Sequence, residues 1–197
     1  MKKALLLVSV LFISVVSTAC INKFAVQELN NKAKGYIEQG DYENAIERLK
    51  SSVDLDASVF ETHYNLAVAY TQAEDYENAI ASFSKAIELN PDFADAYYSL
   101  AVAEEDFSVD LAKGVLTLDE NGKPVKVDEE TLMKQDKITL SPQVQAKINE
   151  LLTDAVKNYN LYLEKGSDIQ DGDEVKEKID RLNEEKANNS KTSDVAG

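Results

Sequence analysis

Six residues, Asp41-Tyr42-Glu43-Asn44-Ala45-Ile46, recur letter for letter as Asp75-Tyr76-Glu77-Asn78-Ala79-Ile80, 34 positions later. A fixed period of this length signals stacked supersecondary units, because one such unit cannot bury its apolar side except against the next. The unit is helical. The chain's 7 Gly, 3 Pro and no Trp in 197 residues, beside many Ala, Leu, Glu and Lys, disfavour a turn-rich sandwich or barrel.

Around the second copy, His63-x2-Leu66-Ala67-x2-Tyr70 is followed by Ala79-x3-Phe83 and Pro91. This resembles the tetratricopeptide repeat, whose helix-turn-helix unit carries W-x2-L-G-x2-Y, then A-x3-F, then P. Ala67 and Ala79 would let two helices approach, with Leu66, Tyr70, Phe83 and Ile87 filling the space between them. A weaker first copy has Leu29, Ala33, Tyr36, Ala45 and Leu49 in the matching places, but Lys32 where leucine is expected. The resemblance implies an all-α chain, a right-handed α-α superhelix of about three hairpins. Unit one spans 26–59, unit two 60–93 and unit three 94–165.

The third unit opens with Tyr97-x2-Leu100-Ala101 and then breaks the period: Lys113 stands where a small alanine is due, and the matching Ala155 lies 42 residues further on. An insertion over about 107–141 is expected. Within it, Val115 to Leu118 and Val125 to Val127 flank Asp119-Glu120-Asn121-Gly122, the pattern of a small β-hairpin. Ser141-Pro142 would cap a helix running to Lys165, with Gly166 as its stop. Val175, Ile179 and Leu182 then mark a polar capping helix over 172–186, and the small polar tail 187–197 is expected to be disordered.

Residues 1–19 read as a secretory signal peptide: Lys2 and Lys3 precede an apolar run from Ala4 to Ala19, which falls short of the ~20 residues needed to span a bilayer. The chain's one cysteine, Cys20, follows Ser17-Thr18-Ala19. That stretch resembles the lipobox of bacterial lipoproteins, which implies a lipid on Cys20, a short linker to residue 25, and a mature domain outside the cytoplasm on a cell-envelope membrane. Ser17 departs from the lipobox, where a larger aliphatic residue is usual, and leaves ordinary cleavage after Ala19 as the alternative. Several acyl chains together make a lasting anchor.

Loss of the leader takes 21 basic residues to 19 against 36 acidic ones, and the net charge from −15 to −17. Nucleic acid is thereby disfavoured as a partner, and a polybasic attachment to anionic lipid is absent. No catalytic motif stands out and no cofactor is expected. His63, the chain's one histidine, lacks the partners a metal site or base would need. Thr117-x-Asp119-x-Asn121-Gly122 with Asp128 superficially resembles a calcium loop, but it begins with Thr where a carboxylate is needed and ends in Asp where the bidentate Glu belongs.

In proteins similar to this one, the first helix of each repeat lines a concave face that binds peptides. Carried over, that face comprises Asn30, Asn31, Lys34 and Glu38, then Tyr64, Asn65, Val68 and Thr71, then Tyr98, Val102 and Glu105. Its acids suit a basic partner, and Tyr64 and Tyr98 suit an apolar anchor, unless those rings merely cover neighbouring helices. The expected role is a membrane-anchored adaptor for a protein or peptide. The second reading is a self-associating assembly lipoprotein, of the kind that assists pilus or secretin assembly.

Overall fold

The computed structural model describes residues 22–134, 138–167 and 169–195, so the leader and Cys20 lie outside the described residues. The chain forms two units, divided between Asn90 and Pro91. Proline there ends one hairpin because it blocks a continuing helix.

Unit 1 is two helical hairpins. Helix α1 covers 22–38, α2 Tyr42–Leu55, α3 Phe60–Gln72 and α4 Tyr76–Leu89. The six-residue repeat starts α2 and α4 identically. The Asp41 carboxylate accepts the Asn44 backbone N–H at 3.3 Å and the Asn44 side-chain amide at 2.8 Å. Asp75 does the same for Asn78, at 3.5 and 2.8 Å. Each carboxylate thus satisfies an orphan donor and faces the positive end of the helix.

Between the helices, Ala33, Ala45, Leu49, Leu66, Ala69, Tyr70 and Ala79 form a continuous core, with Tyr36, Ile37, Ile46 and Val53 packed on it. Ala67 and Ala79 are fully buried, as the close approach of paired helices demands, and Phe83 fills the gap beside them. Lys32 stays at the surface, paired with Glu28 one turn away at 2.7 Å.

Unit 2 holds α5 (Ala94–Ala112), β1 (Leu116–Leu118), β2 (Pro124–Lys126), α6 (Glu129–Lys134), α7 (Pro142–Lys165) and α8 (Gly172–Val195). The expected hairpin forms, antiparallel, with Leu116 opposite Lys126 and Leu118 opposite Pro124. Asp119 ties its turn by accepting the backbone N–H groups of Asn121 and Lys123 at 2.8 and 2.9 Å. Strand β1 packs on α5 and α7, which leaves Leu116 only 4% exposed. Ser141 caps α7 through the Val144 N–H at 3.2 Å, and Gly166 ends that helix.

The structure departs from the sequence reading in four places. Residues 22–25 are already helical, where a linker to residue 25 was expected, because α1 runs on past Val26 without a Gly or Pro to start it there. The insertion begins near 113 rather than 107, because α5 continues the buried stripe of Leu100, Ala103, Phe107 and Leu111 as far as Ala112. A repeat period cannot reveal this lengthening; it depends on the 24-residue α7 supplying a taller partner surface. Helix α6 is an addition to that reading; Asp128 starts it by accepting the Thr131 N–H at 2.8 Å. Last, α8 runs to Val195 instead of ending at Lys186 before a disordered tail, since neither Gly nor Pro interrupts it after Gly172.

Candidate binding face

In unit 1 the first helices of the two hairpins, α1 and α3, carry the residues named from sequence. The structure divides them into two kinds. Asn30 and Asn65 join an internal network: the Asn30 side-chain N–H2 lies 2.9 Å from both Ser52 Oγ and Thr62 Oγ1, while its Oδ1 accepts from Asn65 at 3.0 Å. Ser52 and Thr62 are fully buried, so this amide cluster satisfies polar groups that would otherwise be costly. It ties α1, α2 and α3 together. The sequence reading missed Ser52 and Thr62; the signal available was that Ser52 continues the buried side of α2 one turn after Leu49.

Asn31, Lys34 and Glu38 are exposed along α1 and make no hydrogen bond or ion pair among the described residues. On α3, Val68 and Thr71 are half-buried, and the Thr71 hydroxyl donates to the Ala67 carbonyl at 3.0 Å. Tyr64 is half-buried with its ring edge-on to Phe83 at 5.7 Å. His63 is packed and its Nε2–H reaches the Ala57 carbonyl at 3.0 Å.

In unit 2, α5 presents Tyr98, Val102 and Glu105, all half-buried. Tyr98 packs on Tyr159 and Tyr162 of α7 at 5.6 and 5.1 Å. One oxygen of Glu105 accepts from the Tyr159 hydroxyl at 2.8 Å, and the other pairs with Arg181 of α8. The Tyr162 hydroxyl donates to Asp171 at 2.8 Å. Both Glu105 oxygens are thereby engaged by the chain's own groups. Tyr159, Tyr162 and Arg181 were not named from sequence, because their arrival beside α5 depends on where the insertion returns the chain.

Burial, helped by Asp171, Glu174 and Glu105, raises the Tyr98 hydroxyl above the usual phenol range. Burial and the Asp171 hydrogen bond push Tyr162 up to about 12. Both hydroxyls stay protonated at neutral pH. Behind them Glu104, 5% exposed, is pushed up to about 8 by burial and accepts from Asn158 at 2.9 Å. Among the described residues no group of three or more His, Cys, Asp or Glu side chains is placed to hold a metal.

Two family models match the chain: the tetratricopeptide repeat over residues 60–93 and the TPR repeat over residues 33–73. No curated protein matches it. Among solved structures, the first TPR domain of human RPAP3 is 19% identical, with a TM-score of 0.57 over 83% of this chain and 95% of that one. The Arabidopsis OM64 TPR domain is 11% identical, with a TM-score of 0.56 over 81% and 98%. The first TPR of Spaghetti (RPAP3), solved bound to the HSP90 peptide SRMEEVD, is 18% identical, with a TM-score of 0.54 over 82% and 93%. At these identities the likeness shows the fold alone, an array of helical hairpins, to which this chain adds the small antiparallel sheet and the C-terminal helix α8.

Proposed function

We propose that this chain, which carries tetratricopeptide repeats, is a membrane-anchored adaptor of the bacterial cell envelope, held by a lipid on Cys20 and capturing a protein or peptide on the α1–α3 face of unit 1. The observation that carries the reading is on α1: Asn31, Lys34 and Glu38 stand exposed on a helix that the neighbouring Asn30 network ties to α2 and α3. Rigid support with free polar groups in front is what a peptide-binding face requires. Tetratricopeptide domains are interaction scaffolds, and one relative of the same fold holds the peptide SRMEEVD.

The ligand here differs in charge. Lys34 is the one basic residue among the eleven carried over from the family's face, and the chain as a whole is at −15. A partner with Lys or Arg beside an apolar group suits this surface better than an acidic peptide. The Tyr98, Val102 and Glu105 positions belong to unit 2 and are left out of this face; Glu105 and Tyr98 are engaged by Tyr159, Tyr162 and Arg181.

Two experiments test the two halves separately. Cys20→Ser should leave the protein exported but release it from membranes; sedimentation with membranes after a high-salt wash would refute the anchor. In-cell crosslinking and capture should lose the partner when Asn31, Lys34 and Glu38 are all replaced by Ala, with helix content unchanged. Undiminished capture by that variant would move the binding face elsewhere. The second reading, self-association, draws on the exposed Val125, Met133 and Ile138 of the insertion. Light scattering across a concentration series distinguishes it.

A further inference from the structure

Unit 1 exposes two large apolar side chains among its described residues, Phe24 at 70% and Leu55 at 40%. Both lie at one end of the first hairpin. Helices α1 and α2 run antiparallel, since Asn30 meets Ser52 while the turn at Gly40 joins the opposite ends. Residues near 24 and near 55 therefore share the end away from that turn. On α1 itself Val26 and Ala33 face the core, so Phe24 points to a different side of the helix.

The same end is the one nearest Cys20 in the chain. Residue 22 is already helical. Two residues span at most ~7 Å even when fully extended. A lipid on Cys20 would therefore bring the bilayer surface to the first turn of α1, with no tether long enough to hold the hairpin away from it.

We propose that the end of the first hairpin bearing Phe24 and Leu55 is a lipid-contact surface, so that unit 1 stands directly on the membrane in which its anchor sits. This rests on the lipid-anchor reading above and adds an orientation to it. The contact is apolar rather than electrostatic: Lys23 is offset at that end by the exposed Asp54 and by Asp56. Aromatic and aliphatic side chains gain by entering the headgroup boundary when an anchor already holds them there. Glu38, near the far end of α1, then stands ~21 Å further along the helix axis, which keeps the open part of the α1–α3 face clear of lipid.

The chain contains no tryptophan, so a single introduced one reports its own surroundings. Lipidated full-length Phe24→Trp and Gln39→Trp, purified from membranes, would be placed in phosphatidylcholine vesicles with and without brominated acyl chains. The indole at position 24 should emit at shorter wavelength and lose most of its emission to the brominated lipid, while the indole at position 39 should remain water-like and unquenched. Vesicle-bound Phe24→Trp protein with water-like emission would overturn the proposal and leave the anchor standing. Blue-shifted emission from that variant that is insensitive to bromine would overturn it too, by placing position 24 against protein. Failure of the protein to float with the vesicles would refute the anchor itself, and the proposal with it.

Discussion

Glu74 stands at φ 59°, 34 residues after Gly40 at φ 74°, and the two close the same turn. Gly40 donates its N–H to Ile37 and Asp41 to Tyr36; Glu74 donates to Thr71 and Asp75 to Tyr70. The second hairpin thus repeats the backbone of the first with a residue that finds the left-handed region costly.

Glu74→Gly should therefore raise stability by about 0.5–1 kcal/mol, and Gly40→Glu should lower it similarly. Nothing lies within 4 Å of a Cβ placed at Gly40, so the cost there is conformational rather than steric. Urea midpoints of the two variants, moving in opposite directions, would check this; a shift of the same sign in both would count against it.

Glu104 should make the stability of unit 2 depend on pH. An unfolded glutamate titrates near ~4.3. In the fold, burial pushes Glu104 up to about 8, with Asp154 acting the same way, while the Asn158 bond and Lys157 and Lys147 oppose. The folded state holds the proton more tightly, so stability is greatest in acid and falls as pH rises towards 8 and beyond, where it levels. The total is on the order of a few kcal/mol. Glu104→Gln keeps an acceptor for Asn158 and should flatten the curve of melting midpoint between pH 5 and 9. An equally steep curve in that variant would count against Glu104 as the source of the effect.

Asn30→Ala should cost about 1–3 kcal/mol, because Ser52 and Thr62 stay buried and Asn65 loses its acceptor. Asn31→Ala, one residue along and exposed, should be near neutral. Chemical denaturation of the pair checks this, and equal losses would show that the network carries no special weight.

Leu116→Ala should loosen the inserted hairpin from α5 and α7, costing about 2 kcal/mol, at the low end for a buried leucine. Two isolated strands do not hold in water. Limited proteolysis should then cut between Asp119 and Gly122 while α5 and α7 stay protected. Unchanged cleavage would mean the hairpin is held by something other than Leu116.

Local chemistry carried most of the fold into the sequence. The repeat of Asp41 to Ile46, the Ser141-Pro142 start and the Asp119 to Gly122 turn act within a few residues of themselves, and Ala67 and Ala79 act between helices adjacent in the chain. What escaped were features that depend on distant partners: the extension of α5 through Phe107 and Leu111, the Asn30 network, and the convergence of Tyr159, Tyr162 and Arg181 on Glu105. Tyr98 shows the limit clearly. Its place on the first helix of its hairpin was readable, but the two rings that half-cover it come from across the insertion.

The long connection also sets an order of events during folding. Residues 73–75 join α3 to α4, whereas residues 113–141 separate α5 from α7. About tenfold more chain to close costs about 2 kcal/mol more in entropy before any α5–α7 contact rewards it. The second hairpin should therefore zip early and the third late, with β1 docking on α5 as the step that shortens the remaining loop.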